Sequence, residues 1–188
     1  MVAKIFIITG GIASGKTFLL KFISSLGYST FNSDLIVKKL LADKKFLLEE
    51  NNINLENYKE KILQEAGFLE KLEKLLYPEI ARERALWLER ELEKNKFLFI
   101  EVPLLFEKFP QGLILGYPYE IISTVAGLKL QRKRAIKRGV KPELLEFLLA
   151  KQVSDQVRLA KSNLIIYTSQ SKRKVKKLIK KIINVSTN

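Results

Sequence analysis

The stretch Gly10-Gly11-Ile12-Ala13-Ser14-Gly15-Lys16-Thr17 decides the fold, because it satisfies G-x-x-x-x-G-K-[ST], the pattern of a loop that cradles phosphates. Glycines let the backbone pass close to a polyphosphate, and successive N–H groups at a helix N-terminus point at its oxygens. Upstream, Ile5-Phe6-Ile7-Ile8 is apolar and β-branched enough for a buried parallel strand. Downstream, Phe18-Leu19-Leu20, Phe22 and Ile23 can face a core from a helix. Strand, loop and helix in that order predict a nucleotide site built from Gly11, Ile12, Ala13, Ser14, Gly15, Lys16 and Thr17. Lys16 reaches the terminal phosphates and Thr17 ligates Mg²⁺. A glycine-rich turn that merely joins a strand to a helix would need neither the lysine nor the hydroxyl.

Working outward, strand-like segments fall near Lys4 to Thr9, Tyr28 to Phe31, Phe97 to Val102, Glu120 to Val125 and Leu164 to Tyr167, with helical patterning between them. That alternation predicts an α/β fold, a central parallel five-stranded sheet flanked by helices. Residues 35–94 read as helical throughout, broken at Asn51-Asn52 and again near Pro78, which can start a new helix at its first turn. So long an excursion between the second and third strands suits an insert that holds an acceptor. Residues 128–161 read as two basic helical stretches that carry Arg132, Arg134, Arg138 and Arg158 and are separated by Gly139 and Pro142. They suggest a hinged lid over phosphates. The expected organisation is one domain: a core of 1–34, 95–127 and 162–188, an acceptor insert of about 35–94, and a lid of about 128–161.

Composition excludes several chemistries. The 188 residues include no cysteine and no histidine, which rules out disulfides, Cys/His zinc sites, thiolate nucleophiles and a Ser-His-Asp triad. A proton acceptor must then be a carboxylate, with Lys or Tyr as poorer candidates near neutral pH. Ile5 to Ile8 is too short a run for a signal peptide or a membrane span, so no membrane partner and a cytoplasmic location are expected. The net charge of +14 suits a polyanion, and small phosphorylated ligands account for it without a nucleic-acid partner. Much of the excess lies in Lys172, Arg173, Lys174, Lys176, Lys177, Lys180 and Lys181, interleaved with Val175, Leu178, Ile179, Ile182 and Ile183. That spacing predicts an amphipathic helix with a solvated basic face, RNA binding being the alternative. No feature points to a particular oligomeric state.

Beyond the loop, Leu26-Gly27 precedes a strand and Asn32-Ser33-Asp34, and Leu75-Leu76-Tyr77-Pro78 lies in the helical insert. Val102-Pro103-Leu104-Leu105-Phe106-Glu107 follows the third strand. Then come Arg134, Arg138-Gly139, Gln152, Arg158 and Leu164-Ile165-Ile166. In these residues the chain resembles the dephospho-coenzyme A kinases, of the P-loop group that is similar to nucleoside-monophosphate kinases, over nearly its whole length. The V-P-L-L-x-E segment is the most specific element. Departures from the family pattern are Asn32 for an Asp in D-x-D, Tyr77 for the frequent His before Pro, and Asn163 and Thr168 for an Asp and Asn around the last strand. The basic residue usual near Asn54 to Asn57 is missing. These changes bear on substrate affinity and lid positioning more than on reaction type.

The resemblance implies transfer of the ATP γ-phosphoryl group to the ribose 3′-hydroxyl of dephospho-coenzyme A, with ATP and Mg²⁺ as cofactors. It makes Asp34 the candidate general base, at the C-terminal end of the second strand on the sheet edge where ligands collect. The plainer reading is that Ser33 or Asp34 caps the helix that follows. Arg134 and Arg138, four apart on one helix face, are expected to clamp ATP phosphates, Arg138 with a catalytic role beside Lys16 and Asp34. Arg158 matches a position that faces bound substrates. Glu101 either reaches a Mg²⁺-bound water or is an ordinary strand-end charge, and Glu107 is either structural or a support for residues that touch the ligands. Tyr77, Trp87 and Tyr119 line a substrate path or belong to the core. The rival readings are another small-molecule or nucleoside-monophosphate kinase of the same fold, and a non-enzymatic nucleotide- or RNA-binding protein.

Overall fold

The five strand segments all form, and their apolar side chains divide between two faces. The computed structural model describes residues 3–43 and 58–185. Strands β1 (Lys4–Gly10), β2 (Ser29–Asn32), β3 (Phe97–Glu101), β4 (Tyr119–Val125) and β5 (Leu164–Tyr167) make one parallel sheet in the order β2-β3-β1-β4-β5. Side chains alternate across a strand. Ile5 and Ile7 therefore join Leu98 and Ile100 on one face, while Phe6 and Ile8 join Phe97 and Phe99 on the other. The first face is covered by α2 (Ser33–Asp43) and α4 (Phe68–Glu91), through Ile36, Leu40, Ile80 and Leu88. The second is covered by α1 (Lys16–Ser25) and α9 (Lys172–Val185), through Leu19, Ile23, Val175, Ile179 and Ile183. The C-terminal helix is amphipathic as its spacing predicts.

Three expectations about the helices are corrected. Pro78 does not start a helix; it lies inside the 24-residue α4. The ring removes one donor, but Leu72, Ile80 and Leu88 are buried on both sides of it, and that burial carries the helix through. The region after β4 holds three helices rather than two: α6 (Leu128–Lys137), α7 (Pro142–Ala150) and α8 (Asp155–Lys161). Ser154 starts the last of them by accepting the Val157 N–H at 3.4 Å, which places Arg158 on a helix of its own. The helix after β2 is capped by neither Ser33 nor Asp34. It begins at Ser33, and Asn32 Oδ1 accepts the Leu35 N–H at 3.0 Å. The break expected at Asn51-Asn52 lies outside the described residues.

The short helices α3 (Tyr58–Gln64) and α5 (Leu105–Lys108) complete the elements described here. Helix α3 and the start of α4 pack on α7 through Ile62, Phe68, Leu72 and Leu144, and Lys141–Glu60 and Lys151–Glu70 ion pairs flank that contact. No described helix is long and apolar enough to cross a membrane.

Candidate active site

The phosphate loop leaves β1 at Gly10, and two constraints make it glycine-rich. A Cβ on Gly10 would lie 2.4 Å from both the carbonyl and the hydroxyl oxygen of Thr124, and Gly15 holds φ at +111°, which a side chain would strain. Ser14 and Thr124 hydroxyls share a hydrogen bond of 2.6 Å, and Thr168 donates to the Ser14 carbonyl. The loop is thus tied to the ends of β4 and β5 before α1 begins at Lys16.

A cavity of about 210 Å³ opens above it, lined by Ile12, Ala13, Ser14, Gly15, Lys16, Thr17, Asp34, Pro103, Arg138 and Gln152. Larger surface hollows, of about 630 and 380 Å³, lie along the basic face of α9 and over the β2 edge. Neither joins loop N–H groups, a hydroxyl and a carboxylate as this one does. The expected Asp34, Lys16, Thr17 and Arg138 all meet here, although Asp34 and Arg138 are distant from the loop in sequence. Lys16 is mostly buried, and its ammonium donates to the carbonyls of Gly10 at 2.8 Å and Gly11 at 3.1 Å. Burial lowers its pKa, against the opposing pull of Glu101 and Asp34.

Glu101 ends β3 beside Ile8 and Asn32, and Ser33 donates its hydroxyl to the Glu101 carbonyl. Its side chain is fully buried, and neither carboxylate oxygen has a hydrogen-bond partner within the protein. Burial first, then the Asp34 charge, push its pKa up to about 7, with Lys16 pulling the other way. An ordinary strand-end charge would be solvated. A buried carboxylate without a donor, within electrostatic reach of Lys16 and of a second carboxylate, Asp34, fits the surroundings of a hard cation that keeps most of its water. No group of three or more acidic, His or Cys side chains among the described residues forms a closed metal cage.

Arg134 and Arg138 do not act as a matched pair in this structure. Arg138 caps the end of α6 and lines the cavity. Arg134 is engaged with protein: its guanidinium donates to the Thr168 hydroxyl at 2.9 Å, the Thr168 carbonyl at 2.7 Å and the Ala13 carbonyl at 3.4 Å. Arg158 is likewise turned to protein, donating to Glu107 at 2.9 Å with both side chains buried. Thr168 and Asn163, which depart from the family pattern, both have structural work, Asn163 accepting the Ile121 N–H at 2.8 Å. The three aromatics belong to packing. Trp87 lies 5.6 Å from the Phe31 ring, Tyr77 6.4 Å from Phe109, and the Tyr119 hydroxyl accepts the Leu113 N–H at 2.7 Å. Sequence reasoning gave no role to Gln131, whose amide oxygen is buried without a partner beside Gly11.

A parallel sheet in this strand order, a lysine-bearing phosphate loop and a carboxylate across the cavity from it define a P-loop kinase. The dephospho-CoA kinase family model matches residues 4–174. A dephospho-CoA kinase of Helicobacter pylori is 31% identical over 189 residues, covering 94% of this chain and 94% of the relative. Among solved structures, a Thermus thermophilus protein superposes with a TM-score of 0.78 at 21% identity over 98% of both chains. A dephospho-CoA kinase from Campylobacter jejuni gives 0.66 at 23% identity, over 98% of this chain and 97% of the other. The chain belongs to the dephospho-CoA kinase family.

Proposed function

We propose that this protein transfers the γ-phosphoryl group of ATP to the ribose 3′-hydroxyl of dephospho-coenzyme A, yielding ADP and coenzyme A in the last step of coenzyme A biosynthesis. What carries the reading is the meeting of Asp34 with Lys16, Thr17 and Arg138 around one cavity, in a chain of this family. Phosphoryl transfer passes through a loose transition state, so positioning and charge neutralisation supply most of the acceleration. Loop N–H groups and the α1 N-terminus hold the phosphates. The Lys16 ammonium exchanges the Gly10 and Gly11 carbonyls for phosphate oxygens, and its effect grows as negative charge moves onto the leaving ADP. Arg138 adds a second cation from the end of α6. Asp34 takes the hydroxyl proton as the oxygen–phosphorus bond forms and the bond from the β–γ bridging oxygen to the γ-phosphorus breaks.

Thr17 would hold a magnesium ion, with Asp34 and Glu101 as the neighbouring carboxylates. When bound, it neutralises charge on the β- and γ-phosphate oxygens. Arg134 serves nucleotide binding by fixing the loop at Ala13. Residues 35–94 serve as the acceptor insert and 128–161 as the lid, and the enzyme works in the cytoplasm on small molecules. Coupled ADP release over a panel of acceptors tests the proposal. Dephospho-coenzyme A should be preferred by orders of magnitude, whereas preference for a nucleoside monophosphate or a sugar acid would replace it with a different kinase of this fold.

A further inference from the structure

The corner between α7 and α8 reaches the phosphate loop through one side chain. Gln152 lies just beyond α7, and its amide oxygen accepts the Ile12 N–H at 2.9 Å. Residue 11 is glycine, and a Cβ there would approach the same oxygen at 3.3 Å and Gln131 Oε1 at 2.9 Å. The next residue, Val153, is gripped on both main-chain groups. Its N–H donates to Glu107 Oε1 at 3.0 Å, and its carbonyl accepts from Arg158 Nη1 at 2.6 Å. Glu107 and Arg158 are joined at 2.9 Å, with side chains 7% and 4% exposed, and Asp155 holds the guanidinium from its own helix at 3.2 Å.

We propose that Gln152 is a positioning residue that sets the phosphate loop, and that the buried Glu107–Arg158 pair holds it there by clamping Val153. The proposal rests on the reading that this loop binds ATP. Glu107 sits on α5, directly after β3, so the corner's position is referred to the sheet. Ile12 opens the stretch of loop whose N–H groups serve the nucleotide. Committing its N–H to Gln152 fixes the loop's entry before ligand arrives. A loop without that bond must be ordered during binding, and affinity falls accordingly. Arg158 then acts through the main chain of Val153 rather than on substrate. Glu107, which the V-P-L-L-F-E segment supplies, acts the same way.

The test uses the ligand-free full chain labelled with ¹⁵N, with Gln152→Met, which keeps length but loses the acceptor, and Gln152→Glu, which keeps an acceptor oxygen. In Gln152→Met the Ile12 amide should exchange about fivefold to tenfold faster and the KM for ATP should rise by a similar factor, the scale of one hydrogen bond. The KM for the acceptor should change far less than the KM for ATP. Gln152→Glu should restore Ile12 protection. Unchanged Ile12 exchange in the methionine variant, or parallel losses in both KM values with a lowered melting temperature, would overturn the proposal. If wild-type protein phosphorylates no acceptor, the kinase assignment falls, and the Ile12 exchange still decides for or against Gln152.

Discussion

Replacing Glu101 with glutamine removes a charge from a fully buried position while keeping its shape, and the structure sets the size of the effect. In the folded chain the carboxyl titrates at about 7, against 4.5 for an ordinary glutamate. Between those values the folded chain keeps a proton that the unfolded chain has released. Stability contributed by the group is therefore full below about pH 4.5, falls as pH rises, and is lost once pH passes about 7. At about 1.4 kcal/mol per pH unit the interval corresponds to about 3 kcal/mol. Glu101→Gln should match wild type near pH 4.5 and exceed it above pH 8. Lys16 offsets part of the gain, because the Glu101 charge favours its protonated form. A net gain of about 2 kcal/mol raises the melting temperature of a chain this size by about 4 to 8 °C. Melts of both proteins, ligand-free and in chelator, from pH 5 to pH 9 provide the assay. A difference that does not vary with pH would refute the reasoning, as would a glutamine variant less stable than wild type at pH 8.

Lys16→Ala should lower phosphoryl transfer by about a hundredfold or more in steady-state assays, since a cation at developing phosphoryl charge is worth several kcal/mol. Near-normal turnover in a folded variant would dismiss the loop as the site of transfer. For Asp34→Asn, kcat should fall by about 10² to 10⁴ with little change in ATP affinity measured by titration calorimetry, the pattern of a lost general base. Lost Mg²⁺-ATP affinity would instead make Asp34 a ligand of the metal. Arg138→Ala should raise the KM for ATP and lower kcat together, because closure over phosphates both binds and assembles the site. An unchanged ATP dependence would return Arg138 to the solvated surface.

Local signals carried most of the fold. The phosphate loop, the strands and the apolar stripe of α9 each depend on residues close in sequence, and each formed within a few residues of its expected limits. Pro78 misled because a missing donor is visible in sequence, while the tertiary burial of Ile80 and Leu88 that outweighs it is not. Ser154-Asp155 was a readable helix start that would have divided residues 128–161 into three helices. At the site, the loop named itself, whereas the isolation of Glu101 depends on β1 and β2 flanking it on β3. The bond from Ile12 to Gln152 spans 140 residues, a distance at which residue spacing carries no information. Asn32 looked like a lost carboxylate and turned out to cap α2, leaving Asp34 at the cavity.

Identification of the phosphorylated product bears hardest on the assignment of substrate and reaction. Wild-type protein incubated with Mg²⁺-ATP and dephospho-coenzyme A should yield ADP and one new phosphomonoester, with ³¹P–¹H coupling placing the phosphate on the ribose 3′-oxygen. The same reaction with Asp34→Asn should yield it far more slowly. A product phosphorylated elsewhere, or ATP hydrolysis without any phosphorylated acceptor, would contradict the assignment.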